Sequence, residues 1–365
     1  MRILHLVPSL SSGGAERQLR YLVEALAAGG YEVHVAYVHS GSEPSMDWLG
    51  SLHKLHANGS SDPLLLLRLV RLMRSLRPDI VQTWLLQMDV AGGLAAMLTR
   101  CKWILREPNM EAAYAKSWKF RLRELIATRC DAIVANSAGG ADYWLGRHQL
   151  QMVRVVHNAI PIRQIRETPK ALSVLLAHLQ GIPTVMYAGR LVSDKYSEKN
   201  VARLLEAIEI VNRTIPCCAL IAGAGPQRLA LEALATNLGI DSKVVFAGQL
   251  APEELWGAMK CASVFTLVSP YEGMPNSVME AVVCGCPLVL SDIPAHRELL
   301  ADDMAIFVNH QNPVSIAQGL LTCLTNPAAS RDRAARALTA SEHWDIDRMA
   351  SAYERLYHDV LAVPG

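Results

Sequence analysis

Residues 263–292 read SVFTLVSPYEGMPNSVMEAVVCGCPLVLSD, and the order of structural elements in this segment indicates the fold class. Its two ends, 263–269 and 286–292, are short apolar runs of strand length. Between them Pro275 suits the first turn of a helix, and Asn276 is a residue type that favours a helix start. A strand, a helix and a second strand in this order pair in parallel, because the helix supplies the crossover. The stretch therefore predicts a parallel sheet that is covered by helices.

The same alternation of short apolar runs and longer amphipathic runs continues over most of the 365 residues. The predicted strands are 2–7, 32–38, 79–84, 102–107, 131–137 and 153–158, followed by 184–190, 218–225, 243–248, 263–269, 286–292 and 304–309. Helical spacing is found at 15–29, 64–77, 116–129, 200–213, 226–238 and 313–325. Two sets of strands, each large enough for a doubly wound sheet, predict an α/β protein with two Rossmann-like domains.

The segment NAIPIRQIRETPK, residues 158–170, breaks the periodicity with two prolines and mixed charge, and it marks the join. We assign residues 1–165 to the first domain, 166–342 to the second, and 343–365, which have helical spacing, to a last helix. Ligands of open parallel sheets bind outside the carboxyl ends of the strands. Two facing sheets are therefore expected to form a central cleft that holds the site.

Composition is that of a folded globular protein, since 51% of the residues are hydrophobic and 19% are charged. The net charge of +1 gives no indication of a nucleic-acid partner. Residues 1–165 nevertheless carry 19 Lys and Arg against 13 Asp and Glu, an excess that favours an anionic partner such as a lipid surface. The eight cysteines have neither a paired zinc spacing nor a secreted framework, so we expect reduced thiols in a cytosolic protein and no metal site.

Two glutamates, Glu272 and Glu280, are separated by seven residues and enclose the turn Gly273 to Asn276. Carboxylates only accept hydrogen bonds, which suits a pair of vicinal hydroxyls such as those of a sugar. The N–H groups at the helix start after Pro275 suit an anion. The alternative is that two surface glutamates flank an ordinary turn.

Two further strand-to-helix loops carry groups that suit phosphate. Gly13 and Gly14 precede the first helix and let the backbone approach an anion. Arg190 is followed by Lys195 and Lys199 before another helix, which gives two fixed cations. A plain turn and solvated surface charge are the respective alternatives.

The segment IAGAGPQR, residues 221–228, matches a dinucleotide fingerprint only in part. Gly223 and Gly225 have the right spacing, but Arg228 takes the place of the third glycine and the segment lies outside the first strand–helix–strand unit. We therefore expect a tight turn here, and not the cofactor site of a nicotinamide-dependent dehydrogenase.

Together these segments resemble the retaining nucleotide-sugar glycosyltransferases of glycosyltransferase family 4, which have the GT-B fold. The resemblance covers nearly the whole chain and is carried by five segments in order. They are GGAERQLRYLVEAL, VVHNAI, AGRLVSDKYSEKNVARLLEAI, IAGAGPQRLALEALATNLGIDSKVVFAGQ and SPYEGMPNSVMEAVVCGCPLVLSD with its E-x7-E spacing.

The resemblance implies an acceptor-side first domain, a donor-binding second domain, and a last helix that returns to the first. It implies that Glu272, Arg190 and one lysine are the catalytic residues, and we favour Lys199 because it lies directly at a helix start. It also implies the binding roles that follow: for the donor diphosphate Gly13, Gly14, Arg190, Lys195 or Lys199, Asn276 and Ser277; for the ribose Glu280; for the transferred sugar Glu272, Gly273, Met274, Pro275 and Asn276; for the nucleobase Gln249 and Leu250. Spacing from Arg190 favours Lys195, whereas the start of the following helix favours Lys199.

The implied reaction moves a sugar from a UDP- or GDP-sugar to a glycan or lipid-linked acceptor, with retention and without a metal or cofactor. Where the family often has a histidine near the reacting sugar, this chain has Trp84, Arg106 and Glu107, so the acceptor side and any proton acceptor stay undetermined. A sugar-nucleotide epimerase, a phosphorylase of the same fold and a non-catalytic sugar-nucleotide binding subunit are the alternatives.

Two basic segments with helical spacing favour a location of the protein at a membrane surface. LLLLRLVRLMRSLR, residues 64–77, spaces four arginines along a leucine-rich helix, and KSWKFRLR, residues 116–123, adds positive charge. Both fit docking at an anionic membrane, which would place a cytoplasmic enzyme at the inner face of the cell membrane in surface polysaccharide or glycolipid assembly. A core helix with a solvated basic face is the alternative.

Overall fold

The computed structural model describes residues 1–10, 13–39, 48–57, 62–111, 114, 117–145, 152–172, 177, 179–192 and 199–363. The chain forms two compact units, Met1–Ala159 together with Ile346–Gly365, and Ile160–Asp345. Each unit is built on one parallel sheet with alternating helices, which confirms the predicted α/β architecture with two doubly wound sheets. The break falls a few residues before 165, because Ile160 and Ile165 are buried in the core of the second unit.

The first unit contains a seven-stranded sheet in the order β3-β2-β1-β4-β5-β6-β7. Its strands are β1 (Arg2–Ser9), β2 (Glu32–His39), β3 (Ser51–Lys54), β4 (Ile80–Trp84), β5 (Lys102–Glu107), β6 (Ala132–Ala135) and β7 (Val153–Val155). Its helices are α1 (Gly14–Ala28), α2 (Pro63–Leu76), α3 (Leu85–Thr99), α4 (Trp118–Ala127), α5 (Ala138–Leu145) and α14 (Ile346–Ala362). Among these strands only β3 was not predicted, because the edge segment SLHK is short and polar, and among the helices the short α5 was not predicted.

Helices cover both faces of this sheet. Residues of α1 and α14 form the core on one face, and residues of α2, α3, α4 and α5 form the core on the other. The last helix, α14, packs against α1, and its buried Tyr357 donates a hydrogen bond to Gln82 Oε1 at 2.5 Å. Residues from the far end of the chain therefore complete the first unit.

The second unit contains a six-stranded sheet in the order β10-β9-β8-β11-β12-β13. Its strands are β8 (Thr184–Ala188), β9 (Cys218–Ala222), β10 (Val244–Gly248), β11 (Val264–Leu267), β12 (Leu288–Ser291) and β13 (Ile306–Val308). Its helices are α6 (Ile162–Glu167), α7 (Val201–Asn212), α8 (Arg228–Asn237), α9 (Pro252–Cys261), α10 (Asn276–Val283), α11 (Pro294–Leu299), α12 (Pro313–Thr325) and α13 (Pro327–Ala340).

The order of the second sheet reverses between β8 and β11, since the chain runs outward from β8 to β10 and then returns to β11. All of its strand pairs are parallel, so the loops after β8 and β11 leave the sheet side by side at its carboxyl edge. A reversal of this kind opens a crevice that binds ligands in parallel α/β sheets. Arg190 follows β8, and Glu272 follows β11.

Gly223 explains the glycine-rich segment after β9. A Cβ at this position would lie 1.8 Å from the carbonyl oxygen of Gly189, and the φ of +145° also favours glycine. The N–H of Gly189 bonds to the carbonyl of Ala222, and the N–H of Leu191 bonds to the carbonyl of Ala224. The glycines therefore let the backbone after β9 lie against the loop that carries Arg190.

We predict that Gly223→Ala lowers the free energy of unfolding by more than about 2 kcal/mol, because backbone must move to admit the methyl group. Gly239→Ala is the control, since Gly239 also has a positive φ, +68°, but has open space around its Cβ position. That control is expected to cost only about 1 kcal/mol. Urea unfolding of the two variants measures the difference, and equal losses would contradict the close backbone approach.

Candidate functional site

Arg190 lies in the exposed loop after β8, and a buried tyrosine holds its backbone. The Tyr187 hydroxyl donates a hydrogen bond to the carbonyl oxygen of Arg190 at 3.2 Å. Burial raises the pKa of Tyr187, and the negative charge of Glu272 raises it further, so the hydroxyl keeps its proton. Tyr187 thus fixes the loop while the Arg190 side chain remains in solvent.

Lys199 and Glu272 form an ion pair between the loop before α7 and the loop after β11. Lys199 Nζ lies 2.5 Å from Glu272 Oε1, and the two side chains are only 19% and 11% exposed. Burial acts to raise the pKa of Glu272, but the Lys199 ammonium offsets this, so that pKa lies below its ordinary value of 4.5. Glu272 is therefore a carboxylate at neutral pH.

Asn200 places Lys199 beside this loop. Its φ of +57° is left-handed, a conformation that asparagine adopts more readily than most residues. Its side-chain Nδ2 donates to the carbonyl oxygens of Val268 at 3.0 Å and His310 at 2.7 Å. The start of α7 is thereby tied to the end of β11.

The turn between Glu272 and α10 is mostly buried. Gly273, Met274 and Pro275 are buried, whereas Asn276 and Ser277, which begin α10, are half-buried. Pro275 stands one residue before the helix, so the predicted helix start is confirmed to within one residue. Three of the residues assigned to the sugar are thus buried, whereas the helix start that follows them is partly accessible to solvent.

Glu280 lies in the second turn of α10 and is 1% exposed. The indole N–H of Trp256, a buried residue of α9, lies 3.4 Å from Glu280 Oε1 and donates a hydrogen bond to it. Burying a polar group so deeply is costly unless the group is hydrogen-bonded. Trp256 is therefore a positioning residue for Glu280.

Gln249 and Leu250 directly follow β10 at the same carboxyl edge of the sheet. Gln249 is exposed, and Leu250 packs partly against the core of the second unit. The N–H of Gly223 bonds to the carbonyl of Gly248 at 2.7 Å, which holds the end of β10 beside the loop after β9. Lys195, the other candidate lysine, lies outside the described residues.

In the first unit Gly13 directly precedes α1, which begins at Gly14. A carboxylate of the same helix lies against this position, since a Cβ on Gly13 would be 2.2 Å from Glu16 Oε2. Ser9 Oγ donates to the other carboxylate oxygen at 2.9 Å. The glycines are thus at a helix start, as predicted, but an internal anion already lies beside them.

The residues that stand where the family often has histidine are engaged inside the first unit. Arg106 lies 4.4 Å from the Trp84 ring centroid and donates to Asn158 Oδ1 at 2.7 Å. Glu107 is fully buried and accepts from Arg123 at 2.8 Å. Neither side chain is placed to accept a proton from a bound acceptor.

Sequence reasoning missed three supporting residues, Tyr187, Asn200 and Trp256. Asn200 had a signal, because an asparagine directly before a helical run often adopts a special backbone conformation. The roles of Tyr187 and Trp256 depend on contacts between separate elements, so the sequence held no signal for them.

Within the described ranges, no group of three or more His, Cys, Asp or Glu side chains is placed to hold a metal ion. No helix in the described part of the chain is both long and apolar enough to cross a membrane.

Comparison with known families gives two matches in the order of the two units. A model described as Glycosyltransferase Family 4 matches residues 12–164, and one described as Glycosyl transferases group 1 matches residues 182–326. The chain therefore belongs to the family 4 type of glycosyltransferase, as the sequence motifs implied.

Relatives and solved structures agree with this assignment. The chain is 25% identical over 362 residues, 94% of its length and 95% of the relative's, to the N-acetylgalactosamine-N,N'-diacetylbacillosaminyl-diphospho-undecaprenol 4-alpha-N-acetylgalactosaminyltransferase of Campylobacter jejuni. It is 28% identical, over 76% of its length and 75% of the relative's, to the lipopolysaccharide core biosynthesis glycosyltransferase LpsE of Rhizobium meliloti. Anabaena HepE, solved in complex with UDP-glucose, superimposes with a TM-score of 0.86 at 18% identity, covering 98% of this chain and 100% of that one. The fold is therefore the GT-B fold.

We predict that Lys199→Met raises the pKa of Glu272 above 4.5, because Lys199 makes the largest contribution that offsets burial, ahead of the smaller contribution from Ser269. In the wild type the depressed pKa contributes stability above the unfolded value, and this is lost as pH falls through the folded value. In the variant the raised pKa reverses the sign, so stability is lost as pH rises through the folded pKa.

Urea unfolding of both proteins across roughly pH 4 to 7 measures this change of slope. Lys243→Met is the control, because Lys243 is an exposed lysine of the same unit. The same slope in Lys199→Met and Lys243→Met would contradict the coupling between Lys199 and Glu272.

Proposed function

We propose that the protein is a retaining glycosyltransferase that moves a sugar from a UDP- or GDP-sugar to a glycan or lipid-linked acceptor in surface polysaccharide or glycolipid assembly. The observation that carries the proposal is the Lys199–Glu272 pair at the reversal point of the second sheet, 2.5 Å between the charged atoms. In this pair the Lys199 ammonium, which can bind phosphate, lies directly beside the Glu272 carboxylate, which can accept hydrogen bonds from hydroxyls.

The donor diphosphate is assigned to Arg190, Lys199 and the start of α10. Arg190 extends from a loop held by Tyr187, and Lys199 is held by the Asn200 clamp. Negative charge develops on the diphosphate as the sugar leaves, and groups that are already oriented stabilise it without reorganising. In this proposal the two cations and the helix N–H groups supply the counter-charge, and no metal is required.

The nucleoside and the sugar are assigned to the two glutamates. Glu280, held by Trp256, accepts from the ribose hydroxyls, and Glu272 accepts from a hydroxyl of the transferred sugar. Gln249, exposed after β10, is assigned to the edge of the base. The UDP-glucose complex of Anabaena HepE and the diphospho-undecaprenol in the name of the Campylobacter relative support a nucleotide-sugar donor and a lipid-linked acceptor.

We predict that UDP or GDP raises the melting temperature of the wild-type protein, since a ligand that binds only the folded state stabilises it.

We predict that Arg190→Met retains the fold and lowers the turnover of the sugar nucleotide about a hundredfold, the usual effect of losing one charge-stabilising donor. Arg163→Met is the control, because Arg163 is an exposed arginine of α6.

The assay also separates the alternatives. Turnover of the sugar nucleotide alone to an epimer would identify an epimerase, and turnover that needs phosphate would identify a phosphorylase. Binding without any turnover would favour a sugar-nucleotide binding subunit. No stabilisation by UDP, GDP, ADP or their sugar conjugates would contradict the proposed function.

We also propose that the first unit docks on the cytoplasmic face of an anionic membrane. Helices α2, α3 and α4 cover one face of its sheet, and their outer surface combines apolar and basic side chains. Trp118 and Leu125 are each 67% exposed, and both lie on α4 beside basic residues. The exposed residues of this surface include Leu64, Leu67, Trp118 and Leu125 with Arg71, Arg74, Lys119 and Arg121.

We predict that the protein co-sediments with phosphatidylglycerol-containing vesicles at low salt, and that Trp118→Ser with Leu125→Ser lowers the partition coefficient at least about tenfold. Leu229→Ser is the control, because Leu229 is 78% exposed in α8 of the other unit. Absence of binding at low salt, or equal binding by both variants, would contradict the docking surface.

A further inference from the structure

His296 lies in α11 and is completely buried, close to the candidate site. Its ring Nδ1 is 2.8 Å from the carbonyl oxygen of Ser291 and 3.2 Å from Ser291 Oγ. Ser291 ends β12, and its hydroxyl in turn donates to the carbonyl oxygen of Ser269 at 2.6 Å. His296 therefore braces the ends of β12 and β11, and the second of these leads into the loop with Glu272.

These bonds determine which ring nitrogen carries the proton. The single hydroxyl hydrogen of Ser291 is used on Ser269, so Ser291 Oγ and its carbonyl oxygen both act as acceptors toward the ring. Nδ1 must then be the donor. Burial lowers the pKa of His296, although the hydrogen bond that the ring donates to the Ser291 carbonyl and the charge of Glu272 act in the opposite direction. The ring is thus neutral, with its lone pair on Nε2.

Nε2 is buried and has no hydrogen-bond partner among the described residues. A buried acceptor without a partner is costly and calls for a physical explanation. The charged groups that interact with this ring are Glu272 and Lys199. Glu272 has only acceptor atoms, whereas the Lys199 ammonium has three hydrogens and needs one for Glu272.

We propose that His296 is a positioning residue whose Nε2 accepts a hydrogen bond from Lys199 when a hydroxyl of the donor sugar takes the place of Lys199 at Glu272. This inference rests on the proposed function. Without a ligand, Lys199 donates a hydrogen bond to Glu272 Oε1. With the sugar bound, Glu272 accepts a hydrogen bond from the sugar hydroxyl instead. The Lys199 ammonium then donates a hydrogen bond to Nε2 and keeps its proton. This bond keeps Lys199 oriented beside the diphosphate.

The two sides of the ring have different tasks, and two substitutions separate them. His296→Asn puts an amide at the position of Nδ1, so it keeps the bond to Ser291 and leaves nothing at Nε2. His296→Gln reaches the position of Nε2 but loses the bond to Ser291. His296→Leu loses both and reports the combined effect.

The probes are two pairs of ligands, UDP with UDP-glucose and GDP with GDP-mannose. The pair that raises the melting temperature of the wild type is chosen, and calorimetry measures the dissociation constants of both its members for each variant. We expect His296→Asn to retain the wild-type melting temperature and the wild-type affinity for the nucleoside diphosphate. Its affinity for the sugar conjugate should fall about tenfold, the effect of one hydrogen bond to a charged group. His296→Gln should show the opposite result, a lower melting temperature with most of the affinity for the sugar conjugate retained.

A spectroscopic readout tests the same inference in the unmodified protein. Nitrogen-15 spectra of the imidazole should show Nδ1 protonated, and the Nε2 resonance should move when the sugar conjugate binds but not when the nucleoside diphosphate binds. A ring protonated at Nε2 would overturn the inference. So would full affinity of His296→Asn for the sugar conjugate, or losses of affinity that follow the melting temperature in all three variants.

Failure of the inference differs from failure of the proposed function. If neither UDP nor GDP, alone or with its sugar, raises the melting temperature of the wild type, the proposed function fails and this inference falls with it. If the nucleoside diphosphate stabilises wild type and His296→Asn equally while the sugar conjugate does not distinguish them, only the role of His296 is overturned.

Discussion

In the second unit the Lys199 ammonium and the Glu272 carboxylate meet at 2.5 Å between the loops that leave β8 and β11. Both side chains are mostly buried, and a buried carboxylate without a partner would take up a proton instead of keeping its charge. The pair exists only because the strand order reverses at this point, which brings two loops more than seventy residues apart in the chain to one edge. Phosphate binding and hydroxyl binding in the proposed site both depend on it.

The surrounding backbone is fixed before any ligand arrives. Tyr187 holds the carbonyl of Arg190, Asn200 ties the start of α7 to the end of β11, and Gly223 lets neighbouring loops touch through their backbones. Trp256 holds Glu280 in the same way. Each support comes from a buried or backbone-bonded group, so the charged groups lose little freedom on binding, which is the condition for electrostatic stabilisation without reorganisation.

The first unit shows how far the same reasoning extends and where it ends. Most of its strands and helices were predictable from their periodicity; the exceptions are the short edge strand β3 and the short helix α5. The environment of Glu107 could not be predicted. A glutamate at the end of a strand gives the same sequence pattern whether its carboxylate faces solvent or pairs with a buried arginine. The structure pairs it with Arg123, and it stacks Arg106 on Trp84. Contacts with residues on other elements decide such cases, and periodicity contains no information about them.

The two parallel sheets, the approximate boundary between the units and the motifs of the family could all be predicted from the sequence alone. This was possible because strand and helix patterns are local and the loops after strands carry the polar groups. Three facts required the folded structure: Lys199 reaches Glu272, Glu16 lies against Gly13, and the Nε2 atom of His296 has no hydrogen-bond partner among the described residues. These facts depend on which loops the strand order brings together and on what burial removes from water, and neither is set by neighbours in the chain.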